Sequence, residues 1–190
     1  HAEPVDLTGT LCSAWSDNGC CSAETAASHT FATASAALYG DAFAIDACGA
    51  VSEACQAWFP AESCLYECDV HIGRYRTHPP SCAASSYAEG NPWQVSGMPV
   101  KESECNQFYA DCAEDSFCFG TGDPSAAAGL WNMDETCGPD AVGDKACRKM
   151  KDIYADGAAM CTGLWDVGGV ASFAVVALAD ETASNSYSFL

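Results

Sequence analysis

Basic residues are scarce in this chain, which carries 7 Lys and Arg against 26 Asp and Glu in 190 residues. The formal net charge of −19 repels phosphate backbones and anionic membrane surfaces, so nucleic acid is excluded as a partner. Long apolar runs are also missing, since the longest, residues 170–178, is too short to cross a bilayer. We therefore expect an acidic, solvated surface and no transmembrane segment in this chain.

Metal-ligand patterns are missing as well. The sequence has no Cys-x-x-Cys pair and only four histidines, so a tetrahedral zinc cluster has no obvious ligand set. Its acidic clusters lack the ligand spacing of an EF-hand loop, and no Asn-x-Ser/Thr acceptor occurs. We expect neither a metal nor a cofactor.

Cysteine, in contrast, is abundant: there are 14, an even number. Cytosolic thiols are kept reduced, so this density predicts a disulfide-bonded protein that is secreted, extracellular or in another oxidising lumen. The chain opens at His1 without an apolar signal segment, which is the expectation for a mature form after signal removal. Because 49% of the residues are apolar, the bonds supplement a hydrophobic core rather than replace it.

The periodicity predicts a fold that is mainly α with little β, loop-rich and disulfide-rich, in a single globular domain. Cys48 and Cys55 are seven residues apart, which places both on one face of a helix that Pro60 ends. Cys64 and Cys68 lie one helical turn apart. The predicted helices are residues 22–39, 41–59, 63–70, 102–117 and 144–154, with a long loop over 74–100 and a strand within 165–178.

No catalytic constellation is recognisable, and the histidines have no adjacent Ser/Asp arrangement, so we do not expect an enzyme. Several aromatic residues accompany the cysteines, and each is either core filler or part of a slot for a flat ligand. Glu62 is either a surface residue or a polar anchor in that slot, where its carboxylate accepts two parallel hydrogen bonds from a heterocycle. The aromatic set is Trp58, Tyr66, Trp93, Trp131 and Trp165.

The order and spacing of the cysteines resemble the folate receptor and riboflavin-binding protein family. The double cysteine Cys20-Cys21 and the segment CLYEC, from Cys64 to Cys68, are the most specific matches. The resemblance covers residues 12–166, which we take as the folate receptor-like domain, with residues 1–11 as an extended lead and 167–190 as a tail. Its other landmarks are Cys12, Trp15, Cys48, Cys55, Cys105, Cys112, Cys118, Trp131, Cys137, Cys147, Cys161 and Trp165.

The resemblance implies a set of disulfide pairs. Two cysteines, Cys20 and Cys82, then remain without a family partner, and we predict that they bond to each other, which gives seven disulfides. The implied pairs are Cys12 with Cys64, Cys21 with Cys68, Cys48 with Cys147, Cys55 with Cys112, Cys105 with Cys161, and Cys118 with Cys137.

The resemblance also implies a ligand site. Glu62 stands where folate receptors have the aspartate that holds the pterin, and Tyr66, Trp93, Trp131 and Trp165 match pocket aromatics. The arginines that hold the glutamate tail of folate are replaced by Gln94 and Gly97, and a pocket serine is replaced by Gly168. A smaller, uncharged or cationic aromatic such as a pterin therefore fits better than folate.

Two functions remain open at this point. The first is a binding protein for a small, flat heteroaromatic ligand of the pterin, folate or flavin type, which the retained Glu62 and aromatic residues favour. The second is a ligand-free scaffold that serves as a structural or assembly subunit with protein partners in a larger extracellular or lumenal complex. The missing arginines and the alanine-rich stretch at 125–128 favour the second function.

Overall fold

The computed structural model describes residues 6–17, 19–28, 46, 48–76, 95–118, 146–164, 166–167, 170–181 and 187–188. The described part of the chain contains six α-helices and six short strands. The helices are α1 (Ala23–Ser28), α2 (Glu53–Gln56), α3 (Trp58–Cys68), α4 (Glu102–Cys112), α5 (Met150–Ile153) and α6 (Gly157–Leu164). The strands are β1 (Met98–Lys101), β2 (Ser116–Cys118), β3 (Cys147–Lys149), β4 (Asp166–Val167), β5 (Val170–Ala171) and β6 (Phe173–Val176). Two 3₁₀ turns, Ser13–Trp15 and Ile72–Arg74, complete the described elements.

The strands form three two-stranded sheets. β1 and β6 are parallel, with Met98 opposite Phe173, whereas β2–β3 and β4–β5 are antiparallel. The predicted strand character near the carboxyl end is confirmed, and β6, within the residues taken as a tail, contributes Phe173 to the core. Near the amino end, Leu7 is fully buried, and its carbonyl accepts a hydrogen bond from the Thr10 N–H at 3.0 Å.

The predicted helix over 41–59 is interrupted at residues 48–52, whereas residues 53–56 and 58–59 are helical as predicted. Gly49 has a φ of +114°, outside the helical region, and the Oγ of Ser52 accepts a hydrogen bond from the backbone N–H of Cys55 as the cap of α2. Pro60 does not end a helix but lies in the first turn of α3, where a missing backbone N–H costs nothing. Cys48 and Cys55 therefore do not share a helical face.

The helices predicted over 102–117 and 144–154 are shorter than expected. α4 buries Cys105, Phe108 and Cys112 as its apolar spacing predicts, but it ends at Cys112, because the chain then turns into β2. The second segment begins as β3, which pairs with β2, and becomes helical at Met150. No helix among the described residues is long and apolar enough to cross a membrane.

Five of the implied disulfide bonds are present: Cys12–Cys64, Cys21–Cys68, Cys48–Cys147, Cys55–Cys112 and Cys105–Cys161. They join α3 to the N-terminal segment by two bonds, the residues before α2 to β3, α2 to α4, and α4 to α6. The pair Cys118–Cys137 cannot be compared, because Cys137 lies outside the described residues. The helical segments are thus cross-linked mainly through α3 and α4.

Cys20 departs from the prediction. Its thiol is free and exposed, so the structure does not form the predicted bond to Cys82, which lies outside the described residues. The Cys20 N–H donates to the carbonyl of Cys68 at 2.8 Å, and Cys20 Sγ lies 3.6 Å from the Asp69 carbonyl oxygen. This backbone pairing directs the thiol toward the end of α3.

The core centres on aromatic rings at the α3–α4 contact. Trp58 and Phe108 are stacked with ring centroids 5.1 Å apart, and Phe59 meets Phe108 edge-on. Trp58 Nε1 donates to Asp111 Oδ2 at 2.8 Å, which satisfies the indole N–H beside the core. Trp58 is therefore a core residue.

Gly157 sets the distance between α6 and α4. A Cβ there would lie 2.4 Å from the Cys105 carbonyl oxygen and 2.6 Å from the Asn106 Cα, both backbone atoms. We expect Gly157→Ala to lower the free energy of unfolding by about 1–3 kcal/mol, because the helices must move apart. Gly73→Ala is the matched control, since a Cβ at Gly73 meets nothing within 4 Å. Equal urea midpoints for the two variants would contradict the close contact.

The free thiol at Cys20 is tested by alkylation of the native, unreduced protein. We expect iodoacetamide to label Cys20, and to do so more slowly than an unhindered thiol, because burial raises the pKa of Cys20. Peptide mapping by mass spectrometry locates the label. Because the neighbouring Cys21 is itself bonded to Cys68, the map must assign the two cysteines separately, and a disulfide assigned to Cys20 with no label there would contradict a free thiol.

Candidate ligand-binding site

Helix α3 has two faces with different roles. Cys64 and Cys68 lie one turn apart and bond to Cys12 and Cys21, so this face is fixed to the N-terminal segment. Glu62 precedes Cys64 by two residues, which places it about 200° around the helix. The two disulfides therefore hold the opposite face of α3 in a defined orientation.

Glu62 is buried on that opposite face, with 6% of its surface exposed. Among the residues that the structure describes, it is the one charged residue classed as buried, and Ser63 is the one buried neutral polar residue. Charged side chains are almost never buried without hydrogen-bonding groups around them. The interpretation of Glu62 as a surface residue is therefore wrong, and its burial agrees with a polar anchor.

Tyr66 lies one turn after Glu62, and residues at this spacing have Cβ atoms about 5–6 Å apart. Its ring is half-buried and packs against the main core cluster. Burial raises the pKa of Tyr66 to about 12, with Glu67 and Glu62 acting in the same direction and Arg76 opposing them. The phenol is therefore protonated at neutral pH, and its O–H is a hydrogen-bond donor.

Arg76 completes this group of side chains. The carbon of its guanidinium lies 6.0 Å from the centroid of the Tyr66 ring, within cation–π distance. Its position is fixed by backbone pairing, because Arg76 forms a bridge with Val95 and the Ser96 N–H donates to the Tyr75 carbonyl at 2.8 Å. Nothing in the sequence pattern identified Arg76, since its partner in the bridge is nineteen residues away along the chain.

The predicted site residues are only partly within the described structure. Glu62 and Tyr66 are brought together on α3, as the resemblance implies. Trp93, Trp131 and Trp165 lie outside the described residues, and so do Gln94 and Gly168. Gly97 is described: it is exposed and has a φ of +64°. At that position the chain offers no side chain to an incoming ligand.

The side chains of Glu62, Tyr66 and Arg76 are suited to forming hydrogen bonds and stacking contacts. A buried carboxylate accepts hydrogen bonds, a neutral phenol donates one, and a guanidinium supplies positive charge beside an aromatic face. Nothing in this set resembles a nucleophile paired with a base. Within the described ranges, no cluster of three or more His, Cys, Asp or Glu is arranged to hold a metal ion.

Comparison with known protein families gives one match over nearly the whole chain. The model of the folate receptor family matches residues 2–183. Human folate receptor gamma is 26% identical over 165 residues, which cover 85% of this chain and 59% of the receptor. Bovine folate receptor alpha is 26% identical over 163 residues, which cover 85% of this chain and 60% of that receptor.

A second kind of relative shares part of the chain. Chicken (Gallus gallus) riboflavin-binding protein is 27% identical over 118 residues, which cover 62% of this chain and 42% of that protein. The chain spans about three fifths or less of the length of these curated relatives. They are receptors and a binding protein, in agreement with the prediction that the chain is not an enzyme.

Proposed function

Because this chain belongs to the folate receptor family, we propose that it is a binding protein for a small, flat heteroaromatic compound of the pterin, folate or flavin kind. The buried carboxylate of Glu62 beside Tyr66 is the observation that carries the proposal. Folate receptors and riboflavin-binding protein, the relatives at 24–27% identity, are named for ligands of this class.

Glu62 favours a particular edge of the ligand. An amino group and a ring N–H side by side, as in a pterin, donate two parallel hydrogen bonds to one carboxylate. A flavin imide edge alternates acceptor, donor and acceptor, so it places carbonyl oxygens against the carboxylate oxygens. Among the three kinds, a pterin-type edge therefore complements Glu62 best.

The walls of the proposed site are aromatic. Tyr66 supplies one ring, and its raised pKa keeps the phenol neutral, so a ligand meets an O–H donor rather than a second anion. Trp93, Trp131 and Trp165 are proposed as further walls because they match pocket aromatics of the family. Stacking between such rings and a heteroaromatic ligand adds affinity beyond apolar burial.

The charge of the chain disfavours a ligand with a long anionic tail. The net charge is −19, and the family arginines that hold such a tail are replaced by Gln94 and Gly97. An anionic ligand is repelled by this field during approach, whereas a neutral or cationic one is not. We therefore propose an uncharged or cationic pterin-like compound rather than folate as the preferred ligand.

An oxidising compartment is part of the proposal. Five disulfide bonds join segments 47 to 99 residues apart in sequence. Such bonds persist in secreted proteins and in oxidising lumens but are rare in the cytosol. We place the function outside the cell or in such a lumen.

Ligand binding is tested by fluorescence titration of the native protein with a pterin, riboflavin and folate. We expect saturable quenching of tryptophan emission, strongest for the pterin, because the heterocycle packs against the aromatic walls. Affinities follow the order pterin above folate, since the glutamyl tail of folate is repelled. No quenching by any of the three at micromolar concentrations would refute the binding function and favour the ligand-free assembly subunit instead.

Glu62 is tested by a pair of variants in the same helix. Glu62→Gln should weaken pterin binding by about 1–3 kcal/mol, roughly 5- to 150-fold, because the charge-assisted hydrogen bonds are lost. Glu67→Gln removes the same charge from an exposed position of α3 and should leave the affinity nearly unchanged. Far-UV circular dichroism and thermal unfolding check that both variants fold. Equal affinities for the two would remove Glu62 from the site.

A further inference from the structure

A second recess lies at the carboxyl end of α3, and its lining does not include Glu62, Tyr66 or Arg76. It is an open cleft of about 400 Å³, which is within the size range of small-ligand sites. One wall comes from the N-terminal segment and the other from the residues that follow α3. The lining residues are Ala14, Trp15, Asp17, Asp69, Val70 and His71.

The two walls are held rigidly together. Cys12, just before the first wall, is bonded to Cys64 in α3, and Cys21 is bonded to Cys68, the residue before Asp69. Between these bonds, Gly19 forms a bridge with Asp69. Within the N-terminal segment the backbone is also closely packed, since a Cβ at Gly19 would lie 2.8 Å from the Trp15 carbonyl oxygen. The cleft is therefore preorganised, which lowers the entropic cost of binding.

Two of the side chains that line the cleft, Asp17 and Asp69, are carboxylates. Asp17 is exposed, and Asp69 is half-buried with its Oδ1 accepting from the backbone N–H of His71 at 2.7 Å. The Oδ2 of Asp69 and the carboxylate oxygens of Asp17 can each accept a further hydrogen bond. Among the described residues that line the cleft, His71 is the one basic side chain, and there is no Lys or Arg. Arg74 and Arg76 act on the same neighbours as Asp69, so the preference for a cation comes from the two lining carboxylates and the net charge of −19.

Two apolar features restrict the kind of cation. Trp15 is half-buried at one wall, and an indole face is the strongest cation–π partner among side chains. Val70 is 48% exposed and is one of the few large apolar side chains in the described structure that face solvent. An indole and an aliphatic group beside two carboxylates suit a cationic head on a short apolar stem, rather than a hydrated inorganic ion.

We propose that this cleft binds an organic cation, an ammonium or guanidinium group on an aliphatic chain, between the Trp15 indole and the carboxylates of Asp17 and Asp69. The chemistry is the same whether the group belongs to a free diamine-type metabolite or to a lysine or arginine side chain of a partner protein. The site is independent of the ligand proposed for the Glu62 group, because the two share no lining residue.

The test uses the native protein, with the Trp15 indole N–H observed by NMR and assigned with Trp15→Phe. The probes are agmatine, as a free amine, and N-acetyl-arginine methylamide, as a side-chain mimic. The neutral isostere N-acetyl-citrulline methylamide is the matched ligand control. We expect saturable shifts of the Trp15 signal with a Kd on the order of 10⁻⁴ M for at least one cation, and at least tenfold weaker binding of the citrulline compound. Binding of agmatine alone supports a free amine, and binding of the arginine compound supports a protein side chain.

Variants test the carboxylates without changing the shape of the cleft. Asp17→Asn with Asp69→Asn should weaken the cation at least tenfold, since asparagine at 69 retains an oxygen for the His71 N–H. Asp152→Asn with Asp180→Asn removes two exposed charges elsewhere and should leave the affinity within about twofold. The proposal is overturned if neither cation shifts the Trp15 signal, if citrulline binds equally well, or if the two double variants lose affinity equally.

Discussion

Two disulfide bonds one helical turn apart are the constraint on which the rest of this structure depends. They fix one face of α3 to the N-terminal segment through Cys64 and Cys68, and each closes a loop of about fifty residues. On chain-entropy grounds each such bond contributes about 4 kcal/mol, without strict additivity. With that face fixed, α3 presents Glu62 and Tyr66 on the opposite side and Asp69 at its end. Both proposed binding sites therefore depend on the same pair of bonds for their geometry.

The burial of the Glu62 carboxylate requires polar partners around it, because an unpaired buried charge is costly. A carboxylate has about four acceptor positions, so protein groups and ligand N–H groups can share it. Glu62 is only 6% exposed, so in the proposed site little water competes for its oxygens. Hydrogen bonds there would be stronger than in water, and a ligand with the wrong donor pattern would leave acceptors unsatisfied. In the proposal, specificity thus arises from the cost of a mismatch as much as from the contacts of a correct ligand.

The sequence predicted the local features whose partners are close in the chain. The one-turn spacing of Cys64 and Cys68 and the apolar face of α4 are both present in the structure. Features set by distant partners could not be predicted in this way: the indole of Trp58 is bonded to Asp111, 53 residues away, and Arg76 is held by Val95. The error over 41–59 has a local cause, because Gly49 and the Ser52 cap outweigh the helix-favouring alanines around them. The five disulfide pairs came from the family resemblance, since spacing alone does not determine connectivity.

The distribution of positive charge bears on which ligands the proposed sites can accept. Lys101 pairs with Glu104, and both Lys149 and Lys151 pair with Glu114, so the described lysines are already neutralised locally. These contacts hold the pKa of Glu114 down to about 2, so its charge persists well into the acidic range. Arg76 lies against the Tyr66 ring, where Glu67 and Glu62 also act on the phenol. What a dissolved molecule meets first is therefore negative potential, which concentrates cations near the surface, repels anions and leaves neutral molecules largely unaffected. In the proposed function, discrimination against anions accordingly begins before contact, and the buried carboxylate and aromatic faces discriminate among the remaining ligands.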